Sequence, residues 1–150
     1  MTFSRLIAAG LGTGYAPLAG GTVASAAALL VGTALLSVSP WLLLIAAIVA
    51  TVGGYAAIRR LQPDGDPGWV VIDEVAGQWI ALLGLAHATW FGGILAFILF
   101  RLFDITKLGP VGWADRRHGA FGIMADDVIA GLIAAILLYG LQVLRPDFAI

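Results

Sequence analysis

Five carboxylates and two cations in this chain stand at spacings that suit phosphate chemistry. Asp73-Glu74 and Asp126-Asp127 are adjacent acidic pairs at the margins of long apolar stretches, while Arg101, Asp104 and Lys107 follow one another at i, i+3 and i+6. Neighbours on a helix point about 100° apart, so one acid of each pair can face a bundle interior while the other reaches its rim. The Arg-Asp-Lys series keeps to one helical face with a slow drift. Carboxylate oxygens suit a hard cation such as Mg²⁺, which shares its coordination shell with substrate phosphate, and the basic residues suit the anion itself. Gly20-Gly21-Thr22 adds a glycine approach to a helix start, with Thr22 the expected N-cap and free backbone N–H groups available to an anion. Two plainer readings compete. Acids at helix N-termini act as caps, and oppositely charged neighbours form simple ion pairs. Capping explains one acid per helix well and two adjacent acids poorly.

Other motifs carry less. Gly10, Gly12 and Gly14 have the look of a phosphate loop, but no strand precedes them and no Gly-Lys-Ser/Thr follows, so close helix packing explains them equally well. Asp64-Gly65-Asp66 follows Pro63 in a loop and does not close a buried strand, as an aspartyl nucleophile would. His87 and His118 are expected at opposite faces, and with no cysteine a zinc site is not supported.

The elements that must position these residues follow from a shortage of charge. Of 150 residues, 61% are hydrophobic and 11% charged, with a mean hydropathy of +0.99, against about 25% charged in an ordinary soluble domain. No Lys, Arg, Asp or Glu occurs over 6–58, 75–100 or 128–144. The expectation is an all-α integral membrane protein, one domain over residues 1–150. A net charge of −1 offers no footprint for nucleic acid. Pro40 divides the first stretch into spans near Thr22–Val38 and Trp41–Ile58. Residues 6–21, rich in glycine and broken by Pro17, read as an ordered loop or re-entrant segment.

The stretch 75–100 is either one tilted helix or a hairpin turning near His87, Ala88 and Thr89. With the hairpin, seven of eight basic residues share one side with eight of nine acidic ones. The positive-inside bias makes that side cytoplasmic. The result is a compact bundle of about five short spans, four being the alternative, with the fourth near Thr89–Phe103 and the fifth near Asp127–Leu144. The candidate site then faces the cytoplasm.

Four blocks together resemble the bacterial phosphatidylglycerophosphatase A family of membrane lipid phosphatases. They are Gly12-Thr13-Gly14 through Ala16-Pro17 and Gly21-Thr22; Asp73-Glu74-Val75-Ala76-Gly77; Phe100-Arg101-Leu102-Phe103-Asp104-Ile105-Thr106-Lys107; and Gly122-Ile123-Met124-Ala125-Asp126-Asp127 with Ala130-Gly131. The chain departs from the family's usual pattern at Gly20, Leu108 and Ala120, where Pro, Pro and Gly are common. The resemblance implies Mg²⁺-dependent removal of the terminal phosphate of phosphatidylglycerophosphate at the bacterial inner membrane. It also implies that Asp73, Glu74, Asp104, Asp126 and Asp127 supply metal ligands and a base, and that Arg101, Lys107, Gly21 and Thr22 hold the phosphate. A phosphatase of another phosphorylated lipid, a small cation-coupled transporter and a structural subunit are the competing readings.

Overall fold

The computed structural model describes residues 2–145 and 150. Every regular element among them is helical: α1 (Phe3–Ala8), a 3₁₀ turn (Gly10–Tyr15), α2 (Gly20–Val38), α3 (Pro40–Leu61), α4 (Ile72–Leu82), α5 (Trp90–Thr106), α6 (Pro110–Asp115) and α7 (Gly119–Leu144). Three of these, α2, α3 and α7, are long and apolar enough to cross a membrane. Their outward faces carry exposed Leu30, Ile45, Val52, Ile136 and Tyr139, as does α5 at Ile98. Such a girdle is stable only against hydrocarbon, so the chain is a membrane protein.

Pro40 acts as expected. It occupies the first turn of α3, where its missing N–H costs nothing, while the Ser39 hydroxyl accepts from Trp41 N at 3.2 Å. The stretch 75–100 is not one helix. It breaks between Leu82 and Trp90, with Thr89 capping α5 through Gly92 N at 3.0 Å. The backbone of that turn is satisfied from within the protein: Gln142 on α7 accepts from Ala86 N at 2.8 Å and donates to Gly84 O at 2.6 Å. Residues 6–21 are more regular than a loop, forming α1 and the 3₁₀ turn, and Val71 N donates to Ala8 O at 2.9 Å to bind this segment to the start of α4.

Two sequence expectations need correction. The last helix starts at Gly119, not Asp127, so Asp126 and Asp127 are its eighth and ninth residues and cannot be caps. Thr22 is not an N-cap either, because α2 begins after Ala19, whose left-handed backbone (φ 49°, ψ 52°) turns the chain into the helix.

Helix α4 is the centre of the bundle, packed against α2, α3, α5 and α7. Its approach to α7 is close enough that a side chain is excluded: a Cβ on Gly131 would strike the Gly77 carbonyl, and one on Gly77 would meet Phe100 and lie 2.7 Å from Asp127 O. Around this contact the core is filled by Phe100, Leu82, Ala130, Ala134 and Leu138. Gly131→Ala is therefore expected to destabilise the chain by about 1–3 kcal/mol through forced separation of two backbones. Gly140→Ala, on the same helix with nothing within 4 Å of the added carbon, is expected to stabilise it by about 0.5–1 kcal/mol. Thermal unfolding in one detergent would show the two shifts with opposite sign; a shared sign would contradict the packing described.

Candidate active site

The starts of α2 and α4, the third turn of α7 and the end of α5 converge, and they bring the charged residues with them. Asp73 and Glu74 lie in the first turn of α4 and Asp127 on α7. One turn further along each helix stand Gly77 and Gly131, so the backbone contact they permit pulls the acidic turns together. A carboxylate oxygen from each of Asp73, Glu74 and Asp127 falls within 4.8 Å of the others. Gly21 brings in the N-terminus of α2, where a Cβ would collide with Glu74 Oε1. The Glu74 carboxylate thus faces the positive end of a helix dipole.

The basic residues enter from α5. Arg101 Nη1 donates to Asp104 Oδ2, one turn on, and Nη2 to Thr22 Oγ1 at 3.3 Å. Lys107 ends α5 in a left-handed conformation (φ 50°, ψ 40°) that aims it back at the site. Its ammonium donates to Asp104 Oδ1 at 3.0 Å and to Asp126 Oδ2 at 2.6 Å, with Asp115 at 3.7 Å and Asp127 at 3.9 Å. Burial alone would lower the Lys107 pKa, but the Asp126 hydrogen bond and the fields of Asp127 and Asp104 outweigh it and hold the ammonium charged well beyond its ordinary range.

All nine expected residues therefore meet at one end of the bundle, with a division among them. Asp104 has both oxygens on cations, and Asp126 has one on Lys107 and the other accepting from Asp127 N at 2.9 Å. By contrast Asp73 Oδ1, Glu74 Oε2 and Arg101 Nε are buried without a hydrogen-bond partner. Buried, unpartnered oxygens on hard donors are what a divalent cation needs, and Arg101 Nε is an unpartnered donor, so the residues fit a divalent cation and an anion.

Sequence reasoning missed several neighbours. Gln78 is fully buried with both amide atoms unpartnered, one turn beyond Glu74; its signal was a lone amide in an apolar helix at i+4 from an acid. Asp66, Asp115, Arg117 and His118 line a cavity of about 190 Å³ that Asp126 shares. Although the Asp66 side chain reaches solvent, the surrounding protein, Glu74 and Asp126 push its pKa from 3.8 to about 6. A raised carboxyl pKa favours the folded state while the group is protonated. That contribution is complete below about pH 3.8 and is lost as pH rises through about 6. Asp66→Asn should therefore melt with wild type near pH 4 and above it beyond pH 6 in metal-free detergent; a difference independent of pH would refute the assignment.

Comparison with known proteins accords with this geometry. Residues 6–142 match the model of the family described as phosphatidylglycerophosphatase A. The chain is 37% identical over 140 residues to the phosphatidylglycerophosphatase A of Escherichia coli K12, covering 90% of this chain and 81% of that protein. It is 35% identical over 143 residues to the Haemophilus influenzae protein of the same name, covering 92% and 88%. A Bacteroides thetaiotaomicron protein named a putative phosphatidylinositol-3-phosphatase is 37% identical over 142 residues, covering 89% of each. No solved structure matches the chain. With the family model spanning nearly its whole length and the four charged blocks gathered at one site, the chain belongs to the phosphatidylglycerophosphatase A family.

Proposed function

We propose that the chain hydrolyses the terminal phosphomonoester of phosphatidylglycerophosphate, releasing phosphatidylglycerol and inorganic phosphate. The observation that carries this reading is the juxtaposition of unpartnered Asp73 and Glu74 oxygens with the unpartnered Arg101 Nε at one end of an apolar bundle. Membership of the family supplies the substrate.

In this reading Mg²⁺ is held by carboxylates among Asp73, Glu74, Asp104, Asp126 and Asp127. When bound it polarises the phosphoryl oxygens and lowers the pKa of water. Arg101, held in place by Asp104 and Thr22, presents its free N–H to the phosphate and offsets the charge that grows on its oxygens. Lys107 adds a second fixed positive charge, and Gly21 and Thr22 bring the first-turn N–H groups of α2 to the same anion. A carboxylate of the Asp73, Glu74 and Asp127 group takes the proton of the attacking water. The P–O bond to glycerol breaks and the glycerol oxygen takes up a proton.

The acids gather at one end instead of mid-span, which favours a headgroup enzyme over a cation-coupled transporter. The Bacteroides relative's printed name favours a second reading, a different phosphorylated lipid headgroup on the same site. Purified chain should release phosphate from phosphatidylglycerophosphate in Mg²⁺ and fail in EDTA. Asp73→Asn and Asp127→Asn should each lose on the order of 100-fold or more. Preference for phosphatidic acid or phosphatidylinositol 3-phosphate would move the substrate and keep the reaction, whereas EDTA-resistant turnover in both variants would overturn the metal role.

We further propose five spans in the bacterial inner membrane, α4 and α5 being the short third and fourth, with the site on the cytoplasmic face. The chain has no native cysteine. In intact cells an impermeant thiol reagent should therefore label Ala88→Cys and spare Thr106→Cys. The reverse pattern would invert the orientation.

A further inference from the structure

The unequal satisfaction of the five carboxylates bears on how many cations the site takes, a question that rests on the metal-dependent reading above. Lys107 Nζ lies within 3.9 Å of four carboxylates: Asp104 at 3.0 Å, Asp126 at 2.6 Å, Asp115 at 3.7 Å and Asp127 at 3.9 Å. A lysine ammonium is a compact point charge, and among this many anionic oxygens it stands where a metal ion would. The oxygens it uses are then unavailable. Asp104 is closed by Lys107 and Arg101, and Asp126 by Lys107 and the Asp127 N–H. The open oxygens lie elsewhere, on Asp73 and Glu74, both buried without a partner beside Asp127.

The lysine is also held where it is. Its peptide adopts a left-handed conformation that an L-residue reaches at a cost, and α6 packs on it so closely that a Cβ on Gly112 would strike the Lys107 carbonyl. These contacts fix the backbone from which the side chain reaches the four carboxylates.

We infer that the Lys107 ammonium takes the place of a second cation, so that the site binds one divalent ion, on Asp73, Glu74 and Asp127. Phosphoryl-transfer sites with two metal ions set them about 3.5–4 Å apart and share the phosphate between them. Here one of those charges is built into the chain. Asp104 and Asp126 then position Lys107 and Arg101 and do not bind the metal.

The test counts Mn²⁺, as the probe ion, on the purified full-length chain in detergent, by equilibrium dialysis with electron paramagnetic resonance of the bound ion. Wild type should bind one Mn²⁺ per chain with an uncoupled six-line spectrum. Lys107→Met, which keeps the length of the side chain and removes its charge, should bind two with an exchange-coupled spectrum. Lys107→Arg should remain at one. Two ions on the wild type, none on it, or a single ion on Lys107→Met would each overturn the inference. The wild-type count decides even if the methionine variant does not fold. Hydrolysis is scored separately: a chain that cleaves the lipid yet binds two ions keeps the proposed function and loses this inference.

Discussion

Two glycines, Gly77 on α4 and Gly131 on α7, let a pair of helices touch backbone to backbone, and the polar centre of the molecule depends on that contact. Each stands four residues beyond an acid, Asp73 and Asp127 respectively, so closing the helices at the glycines closes the carboxylates one turn away. In hydrocarbon there is no hydrophobic drive between helices, and small residues that admit close van der Waals contact supply the attraction. That attraction works against the repulsion of three gathered carboxylates. The rest of the bundle offsets it: the α2 terminus faces Glu74 across Gly21, and α5 delivers Arg101 and Lys107.

Charge balance explains why so few ionisable groups carry so much of the arrangement. Five carboxylates surround two cations, and leaving the excess uncompensated at the edge of the membrane is costly. Asp104 and Asp126 are compensated by the protein itself. Asp73 Oδ1 and Glu74 Oε2 have no such partner, and in the proposed reading a divalent cation would offset them. The same cation would lower the excess of negative charge that an incoming phosphate meets, and Arg101 Nε would offer that phosphate a donor.

The sequence made the charge-bearing blocks and the general architecture readable because both rest on charge. Runs free of Lys, Arg, Asp and Glu marked the apolar helices, Pro40 marked the break between α2 and α3, and the segregation of charge favoured an interruption of 75–100, which the structure has between α4 and α5. The same reliance on charge misplaced the start of α7. Its first two turns, Gly119–Asp126, contain two glycines and an acid, which read as loop although they pack as helix beneath α6. Thr22 looked like a cap because threonine caps helices, but nothing local announces the left-handed turn at Ala19. Gln78 shows in the sequence only as a lone amide four residues beyond Glu74, and nothing in the spacing of Asp66 announces it; packing buries the amide and sets the loop acid over the Asp126 cavity. The division of the carboxylates into engaged and open oxygens is likewise a property of side-chain geometry, invisible to residue type.

The position of α4 ties these points together. At 11 residues it is about 16 Å long, roughly half the hydrocarbon thickness, and as an isolated span it would leave backbone groups stranded at its far end. It is stable because it is wrapped by α2, α3, α5 and α7. Gln142 satisfies Ala86 N and Gly84 O in the turn that follows. Trp79 Nε1 also donates to Ala28 O at 2.9 Å, fixing α4 to α2 at mid-height. A helix supported in this way need not face lipid, which frees its first turn to be polar. The short helix therefore suits the site: Asp73 and Glu74 stand on an element none of whose residues is fully exposed, at the end that meets Arg101 and Lys107.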